Sequence, residues 1–234
     1  MTGDGPAGPV DFLAAIPGLS TLLEGLIESI AFPSDYPVRF LDLGAGRSAL
    51  SELLLDKFPN STATLMETRP DWLGEARERL QRFGDRVALR SDDFAVDDLR
   101  REQDLVVAAF QLSGLDDIRR RGVYRAIYGA LRPDGLCRFV DRFRGPTQIL
   151  EQLSAKSWAD AVAADAAMPA DTVAAAEEAY AQTRGMWIGN EITWLDSIGF
   201  RDVDIFCKDA GFAVVGCRKP VAADFDSSFR AIGA

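Results

Sequence analysis

Phe40-Leu41-Asp42-Leu43-Gly44-Ala45-Gly46-Arg47-Ser48 carries an apolar strand straight into a glycine turn, and the stretch that follows, Ser48–Phe58, reads as a helix. Glycine at 44 and 46 removes the side chains that would hold a ligand away from the backbone, and a helix N-terminus offers N–H groups with no partner inside the helix. A dinucleotide fingerprint would place a third glycine three residues after Gly46, where this chain has Ala49, so the pattern departs from the nicotinamide and flavin type. The glycine spacing alone leaves packing and binding open. The next strand, Thr62–Glu67, tips the balance, because it ends in an acid placed to accept both hydroxyls of an adenosine ribose.

Outward from that turn, strand and helix alternate. Val38–Leu43, Thr62–Glu67, Val87–Arg90, Leu105–Phe110 and Gly135–Val140 are strand candidates, with Ser48–Phe58, Pro70–Phe83 and Asp116–Leu131 as helices between them. Such alternation predicts an α/β fold with a parallel sheet covered on both faces. Leu131-Arg132-Pro133-Asp134-Gly135 is a helix stop and turn. Beyond Gly145 the pattern changes to two helical stretches, Thr147–Ala167 and Ala170–Arg184, broken at Pro169 and read as a lid over residues 146–190. Glu191–Ile198 is a further helix stopped at Gly199, and Val203–Cys207 with Phe212–Cys217 forms an antiparallel hairpin around Lys208-Asp209-Ala210-Gly211. The N-terminal stretch Val10–Phe32 reads as a helical cap reaching to residue 35, placed to cover a cofactor mouth, after a Gly/Pro-rich start expected to be disordered.

Composition bounds the chemistry. The 234 residues, 47% hydrophobic and 26% charged, suit one globular domain over 1–234. A net charge of −10 disfavours nucleic acid and anionic membranes as partners and favours a small-molecule substrate. The chain contains no histidine, which removes His triads, His metal sites and imidazole bases. Cys137, Cys207 and Cys217 lack zinc spacing, so no metal is expected, and they read as small buried hydrophobes of a reducing compartment. With no signal-peptide pattern or membrane-length apolar run, cytoplasmic residence is the expectation.

Taken together, these stretches resemble the class I S-adenosylmethionine-dependent methyltransferases of the small-molecule type. The resemblance runs from about Val38 to Lys219: Leu41–Gly46 is similar to the family's first motif, Glu67 stands where its ribose-binding acid stands, and Ser91-Asp92-Asp93-Phe94 is similar to its adenine loop. Leu131–Leu136 resembles the approach to its fifth strand, and Trp194–Val203 with Phe212–Gly216 resembles its closing helix and hairpin. The resemblance implies a seven-stranded, mostly parallel Rossmann-like sheet with a C-terminal antiparallel hairpin and a helical cap. It implies S-adenosylmethionine as cofactor, a small metabolite in secondary metabolism as acceptor, and compatibility with a homodimer.

Carried onto this chain, the resemblance lets Gly44, Ala45 and Gly46 pass beside the methionine part of the cofactor, with Asp42 orienting the loop or meeting the amino group. Glu67 takes the ribose diol. Asp93 accepts the adenine amine or caps its own turn; Phe94 packs on the ring or in the core; Met66 supplies an apolar wall; Ala109 and Phe110 close the site after the fourth strand. Where the family often has a small residue and a glycine, this chain has Arg47 and Ser48: Ser48 reads as an N-cap, and Arg47 as solvent-facing or reaching a carboxylate. Ala109–Leu115 lacks the histidines that often line such sites, leaving Gln111 and Ser113 as candidate substrate contacts. Candidate bases are Asp141, Glu151 and Tyr180. Trp158 and Trp187 wall a substrate pocket or pack the lid, Trp72 and Trp194 are expected against the core, and Arg119-Arg120-Arg121 reads as a solvated helix face.

Overall fold

The apolar runs become strands because each is covered on both faces, and alternate residues of one strand feed different layers. In the computed structural model, which describes residues 18–164, 185–222 and 224, Phe40 of β1 (Arg39–Leu43) enters one core and Leu41 and Leu43 the other. The remaining strands are β2 (Thr62–Met66), β3 (Val87–Arg90), β4 (Gln103–Ala109), β5 (Leu131–Arg142), β6 (Arg201–Asp209) and β7 (Phe212–Arg218). They form one seven-stranded sheet in the order β3-β2-β1-β4-β5-β7-β6. β1 to β5 pair in parallel, and β7 runs antiparallel to both β5 and β6. This is the expected Rossmann-like sheet with its closing hairpin.

Helices α1 (Leu19–Glu28), α2 (Ala49–Lys57) and α5 (Gln148–Ala164) cover the first face, burying Leu22, Leu26, Leu54, Phe58 and Trp158. Helices α4 (Asp117–Ala130) and α6 (Ile188–Ile198) cover the second through Tyr124, Ile127 and Leu195. Helix α3 (Pro70–Arg79) ends sooner than the sequence suggests, and a short 3-10 turn over Gln81–Arg86 leads into β3. The expected cap at the N-terminus is a layer helix: α1 packs on β5, β6 and β7 rather than over the mouth of the sheet. Residues 10–17 of that stretch, the Gly/Pro-rich start and the stretch Ala170–Arg184 lie outside the described residues.

Two local expectations change. The Leu131–Gly135 turn is absorbed into β5: Leu131 already pairs with Gln103, the ladder resumes at Leu136 opposite Leu105, and the residues between turn aside to pair with Lys219. Cys137 and Cys217 are buried as expected and directly opposite each other on β5 and β7, whereas Cys207 is half-buried. No described helix is long and apolar enough to cross a membrane.

The sheet order reverses direction between β1 and β4. In an open α/β sheet that switch point, at the C-terminal ends of the strands, opens a crevice that no crossover helix covers.

Candidate cofactor site

The glycine turn sits in that crevice. Gly44 and Gly46 adopt φ of 66° and 51°, a left-handed backbone that a side chain resists. The turn is tied to β2, since the Ala45 N–H donates to the Met66 carbonyl at 2.9 Å and the Gly46 N–H donates to Glu67 Oε2 at 2.9 Å. Glu67 Oε1 accepts the Arg69 N–H at 2.9 Å, so the carboxylate joins the end of β1 to the start of α3 while each oxygen keeps a lone pair. Asp42 lies beneath the turn, 2% exposed, and accepts from Ser51 Oγ at 2.6 Å. Burial pushes its carboxyl up to about 7, the Ser51 hydrogen bond opposes this, and the negative charge of Glu67 adds to it. Buried in this way, Asp42 supports the loop from below, the first of its two expected roles.

Ser48 is a third left-handed residue, at φ 62°. It occupies the N-cap position of α2 without a capping side-chain bond, because a capping hydroxyl needs an extended backbone that φ 62° does not provide. Its Oγ is buried with no hydrogen-bond partner among the described residues. Arg47 is half-exposed and pairs with Glu75 at 2.9 Å, so it follows the carboxylate alternative rather than pointing into solvent.

The rim on the α3 side is aromatic. A Cβ at Gly46 would meet the Trp72 ring at 3.7 Å, and the Arg69 guanidinium stacks 4.0 Å from the centroid of that ring. Trp72, half-buried in the first turn of α3, therefore borders the glycine turn instead of packing in the core. Trp194 does pack on the second core, beside Arg120 and Arg121. Asp93 is exposed and its Oδ1 accepts the Ala95 N–H at 2.9 Å, the turn-capping alternative. Phe94 packs on the second core, and the Met66 side chain is fully buried in it, so Met66 reaches the turn only through its carbonyl.

Across the crevice, Gln111 lies against the turn: a Cβ at Gly44 would sit 2.5 Å from its side chain. Ala109 ends β4 half-buried; Phe110, at φ 58°, donates its N–H to Val140 and packs edge-on to Phe212. Asp141 is 1% exposed, with Oδ2 accepting the N–H groups of Leu112 and Ser113 at 2.8 and 3.0 Å and Oδ1 that of Arg142. Burial raises its carboxyl pKa against those hydrogen bonds. Asp141 is thus the anchor of the turn after β4, not an accessible base. Ser113 contributes to the same anchor while lining a neighbouring cavity.

Glu151 is likewise engaged, with Arg142 at 2.5 Å and the Gly145 N–H at 2.6 Å. Trp158 is buried in the first core, and Trp187 stacks with the Arg144 guanidinium on the surface. Tyr180 lies outside the described residues. The arginine run is not uniformly solvated, because Arg120 is 4% exposed and bonds both oxygens of buried Glu191 at 3.1 Å. Tyr124 Oη donates to Glu191 Oε2 at 2.6 Å, completing a buried network between α4 and α6 that the sequence reading missed.

Comparison with known proteins agrees with this geometry. Residues 41–137 match the family described as "Methyltransferase domain". A malonyl-[acyl-carrier protein] O-methyltransferase of Chlorobium phaeovibrioides is 33% identical over 108 residues, 44% of this chain and 39% of that protein. The apo S-adenosylmethionine-dependent methyltransferase SibL superposes with a TM-score of 0.61 at 22% identity, over 89% of this chain and 61% of its own. Human N-acetylserotonin methyltransferase in complex with SAM gives 0.60 at 21% identity, over 86% of this chain and 52% of its own. The chain thus spans about two fifths to three fifths of these relatives. Residues 41–137 thus match a methyltransferase domain, and the sheet is the Rossmann-like methyltransferase fold that these solved structures share.

Proposed function

We propose that this chain binds S-adenosylmethionine in the crevice between β1 and β4 and transfers its methyl group to an oxygen, nitrogen or carbon atom of a small molecule. The observation that carries this reading is the glycine turn: two bare left-handed residues at the switch point, clamped by the acid that ends β2. The residues present fit an adenosyl cofactor. Gly46 turns bare backbone toward the Trp72 ring, Gly44 gives the Gln111 side chain room to lie against the turn, Glu67 keeps lone pairs for a ribose diol, and the Ser48 hydroxyl is buried without a partner among the described residues.

When bound, the sulfonium supplies an already activated methyl group. The protein's part is then to place an acceptor in line with it and to exclude water, which suits a chain with no histidine and a buried Asp141. Asp42 and Glu67 hold the turn, Asp141 fixes Leu112 and Ser113, and Gln111 and Ser113 present polar groups on the acceptor side. The three free cysteines fit a reducing, cytoplasmic setting, and residues 1–234 serve as one methyltransferase unit in which α5 closes the acceptor side.

Incubation with S-adenosylmethionine and a panel of phenols, amines and carboxylic acids, with mass spectrometry for S-adenosylhomocysteine and methylated product, tests the proposal. Product from at least one acceptor is expected. Saturable cofactor binding with no product from any class would favour a protein that binds the cofactor without transferring its methyl.

A further inference from the structure

Arg144, just beyond β5, lines two cavities. The first, of about 380 Å³, also holds Arg120, Asp116 and Asp117, and its charges are balanced: Asp117 pairs with Arg120 at 2.7 Å and Asp116 caps α4. The second, of about 430 Å³, has apolar walls from Phe143, Leu150, Leu153 and Ile188 and two cations, Arg144 and Lys208. Among the described residues no acidic side chain lines it. On a chain of net charge −10 this is a local excess of positive charge.

Both cations are held ready for an anion. Arg144 stacks 4.4 Å from the Trp187 ring centroid and, among the described residues, has no carboxylate within ion-pairing distance. Stacking fixes the guanidinium plane and leaves its N–H edge for a planar acceptor. Lys208 Nζ bonds the Ala210 carbonyl at 2.8 Å and keeps two further donors. The apolar walls are open to water: Leu150 is 46% and Leu153 58% exposed, although α5 turns Trp158 and Val162 into the core. A volume in the range of small-molecule sites, apolar surface without a cover and two cations together describe a ligand with matching parts.

We propose that this cavity is the acceptor site and that the acceptor is an organic anion with an apolar body, its carboxylate on Arg144 and Lys208 and its aryl or alkyl part against Leu150, Leu153 and Ile188. This rests on the methyltransferase reading above. Position supports it, since β5 leads from Asp141, the anchor of Leu112 and Ser113 beside the cofactor crevice, directly to Phe143 and Arg144.

The test is calorimetric titration of 3-phenylpropanoate and its neutral amide into the protein saturated with S-adenosylhomocysteine, for wild type, Arg144→Gln and Leu153→Asp. In wild type the acid binds about tenfold or more tightly than the amide, and the difference shrinks with added salt. Arg144→Gln abolishes most of that preference, and Leu153→Asp weakens the acid further, while S-adenosylhomocysteine binds both variants as it binds wild type. Equal binding of acid and amide, an unchanged preference in Arg144→Gln, or no binding of the acid beside intact S-adenosylhomocysteine binding overturns the anion assignment alone. Failure of wild type to bind S-adenosylhomocysteine overturns the methyltransferase reading, and the acceptor role with it.

Discussion

Glu67 Oε2 accepts the Gly46 N–H at 2.9 Å, so the acid that ends β2 clamps the glycine turn that ends β1. Its other oxygen holds the Arg69 N–H. Glu67→Ala leaves both donors without their acceptor and should lower unfolding free energy by about 1–3 kcal/mol. It should weaken S-adenosylhomocysteine binding by a similar about 1–3 kcal/mol, through lost ribose contacts and a loosened turn. Calorimetry beside urea unfolding separates the two; unchanged affinity would remove Glu67 from the cofactor site.

Ser48 combines a left-handed backbone with a buried hydroxyl that has no partner among the described residues. Ser48→Gly removes both penalties and adds only the entropy of a glycine in the unfolded chain, for a net gain of about 1 kcal/mol. In a chain of this length that raises Tm by roughly 2–4 °C, readable by scanning calorimetry. A lower Tm would mean that the hydroxyl supports the fold.

Asp42 predicts a pH dependence of stability. Its folded-state pKa of about 7 lies above the unfolded value near 3.8, so between those limits the native state binds the extra proton. This contribution to stability is therefore full below about pH 4 and is lost as pH rises to about 7, with a total on the order of 4 kcal/mol. Asp42→Asn, which keeps an oxygen for Ser51, should flatten that slope and leave the variant more stable than wild type at pH 8, as measured by urea unfolding across pH. An identical slope in the variant would locate the titration elsewhere.

The Arg120–Glu191 pair is buried on both sides. Removing Glu191 takes the buried carboxylate from Arg120 and leaves it the exposed Asp117 as ion partner: Glu191→Leu should cost about 3 kcal/mol, and Arg120→Met with Glu191→Leu should recover at least about 2 kcal/mol of that loss. A double-mutant cycle in urea reads the coupling; additive losses would show that the pair does not act as a unit.

These predictions lean on features that the sequence displays unequally. β3 is legible to the residue, Val87–Arg90, and the glycine turn with Glu67 is legible because strand, turn and acid lie at local spacings. The Arg120–Glu191 pair spans 71 residues, and an arginine run on a helix otherwise follows the pattern of a solvated face. Asp141 has the pattern of an acid at the mouth of a strand; its own strand supplies the Arg142 N–H for one oxygen, and the turn after β4, distant in sequence, supplies the Leu112 and Ser113 amides for the other. Trp72 follows the apolar spacing of α3, yet it stands in the first turn, where the helix begins beside the glycine turn. Ser48 resembles an N-cap by residue type, and its left-handed φ belongs to the third bend of that turn, which no residue preference marks.

The central claim is that the β1–β4 crevice is an adenosyl site, and the most direct measurement is calorimetric titration of wild-type protein with S-adenosylhomocysteine and, separately, with NAD. Saturable one-to-one binding of S-adenosylhomocysteine with none of NAD is predicted; saturable NAD binding with no response to S-adenosylhomocysteine would contradict it.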